Sequence, residues 1–186
     1  MSQSLKSILP NLLTLSRGLL VIIISGLFFT ELSSKFILIY VLFILASVSD
    51  YFDGKLARKW HVKSDFGIVF DSLFDKVFTF ILYILLIPFN LIHISVFIVL
   101  IFRDLLIDGL KNFSLSKGKP IPARYAGKLK MVFQTLLINF GLLLLILPNV
   151  QILKILLYIS SALAVFMSLY SGIYYVKDYF IPVKKK

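Results

Sequence analysis

The 186-residue chain contains no cysteine. Disulfides, thiolate nucleophiles and cysteine-ligated zinc or iron–sulfur centres are therefore excluded. Histidine is almost as rare. The two that occur, His61 and His93, fall on predicted opposite ends of the molecule, which argues against a His-based metal site or a Ser-His-Asp triad. Charge is also scarce: 16% of residues are Asp, Glu, Lys or Arg, against about a quarter in a soluble domain. Acids are the scarcest charged class, nine against 20 Lys and Arg, giving a net charge of +11.

What fills the space is apolar. Hydrophobic residues make up 59% of the chain, and the mean hydropathy is +0.95. This composition predicts an all-α, polytopic membrane protein. In a soluble protein the positive charge would point to nucleic acid. Here it fits loops on the cytoplasmic side and their attraction to anionic lipid, so no nucleic-acid partner is expected. The apolar run from Leu19 is long and lacks a small-x-small cleavage site after it, so it is expected to be a retained first span.

Six spans are predicted, at about 11–30, 36–59, 66–88, 92–114, 127–148 and 151–177, each near the ~20 residues needed to cross the hydrocarbon. Turn signals separate them: Ser33-Ser34, the stretch 61–64, Pro88-Phe89-Asn90, 118–122 and Pro148-Asn149. Residues 1–10 are expected to form a short interfacial helix ending at Pro10. One set of connections carries Lys55, Arg58, Lys59, Lys63, Lys111, Lys117, Lys119, Arg124, Lys128 and Lys130, and the tail adds Lys177 and Lys184–Lys186. The opposite set carries Lys35 and Lys154. Both termini are therefore expected in the cytoplasm. The terminal lysines are expected on the anionic lipid surface, and Trp60 in an aromatic belt. One domain, 1–186, is expected to fill the chain as a six-helix bundle.

Five of the nine acids lie in one stretch, SDYFDGKLARKWHVKSDFGIVFDSLFDK, residues 49–76. Asp50 and Asp53 are i, i+3 on one predicted helix, with Gly54 and Ala57 on the same stripe. Asp71 and Asp75 are i, i+4 on the next, with Gly67 one turn earlier. Counting from Phe36, Asp50 lies roughly 21 Å along its span. Carboxylates at this depth repel one another and lose hydration, and ionisable groups in spans mark pathways or sites. A bound divalent cation offsets both costs. Oxygen ligands without Cys or His select a hard ion, Mg²⁺ first, with Mn²⁺ or Ca²⁺ open. Asp65, at a predicted helix start, is read as an N-cap.

These residues spell D50-x2-D53-G54-x2-A57-R58-x8-G67-x3-D71-x3-D75. The pattern resembles the signature of the CDP-alcohol phosphotransferase family, with every fixed position present. The resemblance implies a six-helix membrane fold and displacement of CMP from a CDP-linked lipid by an acceptor hydroxyl. It implies Asp50, Asp53 and Asp71 as metal ligands, and Asp75 as ligand, general base or both, with one or two Mg²⁺ or Mn²⁺ ions. Gly54 and Ala57 would leave room for the cytidine nucleotide, Arg58 would contact its phosphate, and Gly67 would permit close approach. Asn11, Thr14 and Arg17 resemble the family's Asn-x-x-Thr-x-x-Arg start, which would support the Asp cluster and touch phosphate.

Two further segments, F102-R103-D104-L105-L106-I107-D108-G109-L110-K111 and A126-G127-K128-L129-K130-M131-V132-F133-Q134, are similar to segments of bacterial phosphatidylglycerophosphate synthases. That branch takes CDP-diacylglycerol and glycerol 3-phosphate in the bacterial cytoplasmic membrane, with the site facing the cytoplasm. The branch pattern has Glu at the position of Asp104, Arg at Lys111 and Thr at Met131. The chain has only four arginines, 17, 58, 103 and 124, all near the expected cytoplasmic cavity. Arginine forks phosphate oxygens as lysine cannot. Arg103, Arg124, Lys128 and Lys111 are the candidates for the acceptor's phosphate. Asp104 and Asp108 are read as partners of nearby basic groups rather than as an ion site. A homodimer is expected by analogy. Other acceptors (inositol phosphate, serine, phosphatidylglycerol) are the nearest alternatives. A divalent-cation transporter is the alternative from another class, but it expects acids on both sides, and the far side offers only Glu31.

Overall fold

The computed structural model describes the backbone of residues 3–60, 65–118, 121–122 and 125–180, and side chains within 16–49, 73–118, 121–122 and 125–180. Among these the chain is all-helical, with no strand: α1 (Gln3–Phe28), α2 (Lys35–Trp60), α3 (Asp65–Leu86), a 3-10 turn (Ile87–Phe89), α4 (Ile94–Ser116), α5 (Tyr125–Ile146) and α6 (Gln151–Phe180). Each expected span has its helix. The start of the first differs. No separate helix ends at Pro10; α1 begins at Gln3 and runs through it. Proline removes one i→i−4 hydrogen bond, but the other backbone bonds of a long helix can carry it past that position.

α5 and α6 are long and apolar enough to cross a membrane, and Ser16–Phe28 and Lys35–Ser49 are shorter apolar stretches. Outward faces carry large apolar side chains, among them Ile22, Ile98, Phe102, Phe166 and Ile173. A soluble monomer rarely exposes so much apolar surface, whereas lipid solvates it.

The helices group into two compact units, Met1–Leu85 and Leu86–Lys186. In the first, α1 packs on α2, and Ile24, Ile39, Phe43, Leu82 and Tyr83 are buried. Lys35 closes the open end of α1: its Nζ donates to the carbonyls of Phe28 (3.1 Å) and Thr30 (3.0 Å). Its ammonium also lies over the Phe28 and Phe36 rings. A cation is well placed at a helix C-terminus, where carbonyls are left without partners.

In the second unit α6 packs on α5 and α4. The unit opens with the 3-10 turn, which contains Pro88 and ends at Asn90 in the left-handed region (φ 55°), its N–H donating to the Ile87 carbonyl. Asparagine tolerates that conformation better than most residues. α4 then starts from His93, whose Nδ1 accepts from the Ser95 N–H at 3.3 Å, so this histidine is a helix cap. The buried side of α6 is a run of mostly small residues: Ser160, Ala164, Ser168, Ser171 and Gly172. Small residues let membrane helices approach, and serines there can satisfy themselves on their own backbone. Ser160 Oγ donates to Leu157 O and Ser171 Oγ to Ser168 O. On α5, Gly141 is pressed against the Leu86 side chain, leaving no room for a Cβ.

Candidate functional site

α2 remains helical through Asp50, Asp53, Gly54, Ala57 and Arg58, and α3 through Gly67, Asp71 and Asp75. The i, i+3 and i, i+4 spacings are therefore spacings along real helices. Of this set only Asp75 lies among the residues with described side chains. Asp50, Asp53, Gly54, Ala57, Arg58, Trp60, Asp65, Gly67 and Asp71 lie outside them, as do Asn11, Thr14, Arg124 and Lys184–Lys186. As a donor set, four carboxylates with no sulfur or imidazole fit a hard divalent cation.

Asp75 is held from α1. The Arg17 guanidinium Nη1 forms an ion pair with Asp75 Oδ1 across 58 positions of sequence. Arg17 is buried and Asp75 half-buried. The neighbouring residues explain the approach. A Cβ at Gly18 would lie 2.9 Å from the Phe74 ring, so glycine lets α1 come close to α3. The pair gives the buried Arg17 guanidinium a counter-charge. One turn on, Thr79 Oγ1 donates to the Asp75 carbonyl at 2.8 Å, which satisfies the hydroxyl within α3.

A second polar cluster lies wholly within the other unit. Asp104 Oδ1 accepts from Lys130 Nζ at 2.6 Å and from Arg103 Nη1 at 3.1 Å, while Oδ2 accepts from Gln134 Nε2 at 3.3 Å. Asp104, Lys130 and Gln134 are all buried. Arg103 continues the network to α6, with Nε donating to Ser168 O (3.0 Å) and Nη2 to Ser171 Oγ (2.6 Å). The Tyr175 ring lies 5.7 Å from the Arg103 guanidinium carbon and 4.4 Å from Lys111 Nζ. Arg103 and Lys130 thus share one buried carboxylate.

Of the four sequence candidates for the acceptor's phosphate, the structure brings Arg103 and Lys111 to one ring. It leaves Lys128 exposed on α5, and Arg124 lies outside the described residues. Asp104 is the partner of basic groups, as its sequence position suggests. The reading of the sequence counted Lys130 only among the loop cations and gave no role to Gln134, Ser171 or Tyr175. The signal for the first two was a lysine and a glutamine one turn apart in an apolar helix. The signal for the others was an i, i+4 stripe on α6 that continues its small-residue face.

A family model described as CDP-alcohol phosphatidyltransferase matches residues 7–167. The chain is 45% identical over 98 residues to the CDP-diacylglycerol–glycerol-3-phosphate 3-phosphatidyltransferase of Mycoplasma pneumoniae, a match covering 53% of this chain and 43% of that protein. The matched region thus spans less than half the length of that relative. The protein of the same name from Rickettsia typhi is 32% identical over 173 residues, covering 91% of this chain and 95% of the relative. That from Bacillus subtilis is 34% identical over 103 residues, 55% of this chain and 53% of the relative.

Proposed function

Because the chain belongs to the CDP-alcohol phosphatidyltransferase family, we propose that it transfers the phosphatidyl group of CDP-diacylglycerol to glycerol 3-phosphate. The products are phosphatidylglycerophosphate and CMP. The observation that carries this reading is the eight-position Asp pattern, complete from Asp50 to Asp75 and set on two consecutive helices. The near full-length match to a rickettsial protein named for this reaction supports the choice of acceptor.

In the reaction a hydroxyl oxygen of glycerol 3-phosphate attacks the phosphorus that bears the diacylglycerol. The P–O bond to the CMP phosphate breaks, CMP leaves with the bond electrons, and the hydroxyl proton passes to a base. In this reading Asp75 takes it, and the Arg17 guanidinium paired with its carboxylate from α1 supports the assignment. Asp50, Asp53 and Asp71, with Asp75, would hold one or two Mg²⁺ or Mn²⁺ ions. When bound, such ions supply charge stabilisation at the pyrophosphate and at the leaving phosphate. Gly54, Ala57, Gly67 and Arg58 line the nucleotide, with Asn11 and Thr14 beside it. Arg103, Lys111, Arg124 and Lys128 receive the acceptor's phosphate. Residues 1–186 act as one domain of six spans in a bacterial cytoplasmic membrane. Both termini and the site face the cytoplasm, and the protein works as a homodimer.

The test is CMP release by purified protein in detergent with CDP-diacylglycerol and Mg²⁺, comparing glycerol 3-phosphate, inositol phosphate, serine, phosphatidylglycerol and no acceptor. Release should require glycerol 3-phosphate and fall to background with chelator, returning with Mg²⁺ or Mn²⁺. Release with a different acceptor would keep the chemistry and overturn the assigned acceptor.

A further inference from the structure

The family match ends at residue 167, yet the described contacts of Arg103 and Lys111 with α6 fall just beyond it, at Ser168, Ser171 and Tyr175. We propose that Ser171 and Tyr175 are positioning residues that set the affinity for the acceptor's phosphate by fixing Arg103 and Lys111. The inference rests on the reading that those two cations receive that phosphate.

Arg103 and Lys111 are eight residues apart on α4, roughly 12 Å of rise. Left alone, the lysine would have a flexible stem and an ammonium seeking water, while the arginine could take many rotamers. The α6 contacts remove that freedom. Ser168 O and Ser171 Oγ take two of the guanidinium's nitrogens, which selects one orientation of its plane. The buried Tyr175 ring then accepts Lys111 against its π-system and lies beside Arg103. A ring quadrupole attracts each cation without neutralising it. Arg103 already shares the Asp104 carboxylate; a second carboxylate at the place of Tyr175 would cancel more of the charge that an anion needs, whereas the tyrosine ring holds both cations without adding a negative charge.

Tyr175 is itself fixed from α5. A Cβ at Gly127 would lie 2.9 Å from its hydroxyl oxygen, so the glycine makes the space that the phenol fills. Gly172 meets Arg103 only at ordinary contact distance, 3.6 Å. Preorganised cations bind an anion more tightly because less side-chain freedom is lost on binding.

The experiment is steady-state kinetics of phosphatidylglycerophosphate formation by the full chain in detergent, for wild type, Tyr175→Leu, Tyr175→Phe and Ser171→Ala. Tyr175→Leu removes the π-face and is expected to raise the KM for glycerol 3-phosphate about tenfold. Its kcat and its KM for CDP-diacylglycerol should stay within about twofold of wild type. Tyr175→Phe keeps the face and should remain within about twofold of wild type in all three. Ser171→Ala should raise the glycerol 3-phosphate KM about fivefold, through one lost charge-assisted hydrogen bond. A role in packing alone would lower the melting temperature and active fraction without moving that KM. An unchanged KM in Tyr175→Leu overturns the proposal. If that variant fails to fold, an unchanged KM in Ser171→Ala does so. A wild type that makes no product from glycerol 3-phosphate overturns the underlying reading, and this inference with it.

Discussion

An Asp75→Asn variant should release CMP about 10³-fold more slowly than the wild type, while keeping its helical content and losing no more stability than a partly exposed ion pair is worth, ~1 kcal/mol. The substitution keeps shape and leaves an amide oxygen that accepts from Arg17, so the α1–α3 contact at Gly18 and Phe74 persists. What it removes is the negative charge, and with it both proposed roles of this carboxylate, proton acceptor and metal ligand. A group that did no more than balance Arg17 would behave differently. Its loss would change stability by about the worth of one partly exposed pair, ~1 kcal/mol, and leave turnover within severalfold. CMP release under saturating CDP-diacylglycerol, with thermal unfolding of the same preparations, separates the two. Turnover within tenfold of wild type would remove Asp75 from the chemistry.

The second large effect is on stability. Asp104→Leu should destabilise the protein by about 3–5 kcal/mol, because it leaves Arg103 and Lys130 buried with no carboxylate between them. In the native network Asp104 receives three donors, from Lys130, Arg103 and Gln134. Deleting the acceptor takes a partner from all three, and the two cations then repel one another. Arg103 keeps its bonds to Ser168 and Ser171, so Lys130 bears most of the cost. The double variant Asp104→Leu/Lys130→Met should therefore recover a good part of the loss, about 1–3 kcal/mol, since a buried pair replaced by apolar residues costs far less than a broken one. Thermal or denaturant unfolding in micelles reads both. A single variant within ~1 kcal/mol of wild type would contradict the buried network.

The helices were legible because apolar runs of span length are punctuated by turn residues. Pro88-Phe89-Asn90 becomes the 3-10 turn with its left-handed Asn90, as that tripeptide suggests. Pro10 was misleading, because proline's local preference reads as a boundary while the helix runs on through it. The Asp pattern stands out in the sequence for a different reason: a carboxylate within a predicted span is costly, so four at helical spacing call for a role. The helices that carry them are observed, while the side chains of Asp50, Asp53 and Asp71 lie outside the described residues. The partners of Arg103 and Lys111 were less legible. Charge count singled out both residues, but which partner each takes depends on rotamers and on a helix 60 or more positions away. Tyr175, in a run of tyrosines near the end of α6, reads as one more interfacial aromatic. Only the packing of α6 against α4 and α5 turns it into a support for two cations. Lys130 likewise reads as one more cytoplasmic lysine until its salt bridge to Asp104 is seen.

The most direct test of the central claim follows the acceptor's carbon into lipid. Purified protein would be given CDP-diacylglycerol, Mg²⁺ and uniformly ¹³C-labelled glycerol 3-phosphate, with lipid products and CMP measured together by mass spectrometry. The expected product is phosphatidylglycerophosphate carrying all the label in its added glycerol unit, formed one-for-one with CMP and absent with Asp75→Asn. CMP released without label entering lipid would contradict it, since the phosphatidyl group would then have gone to water or to another acceptor.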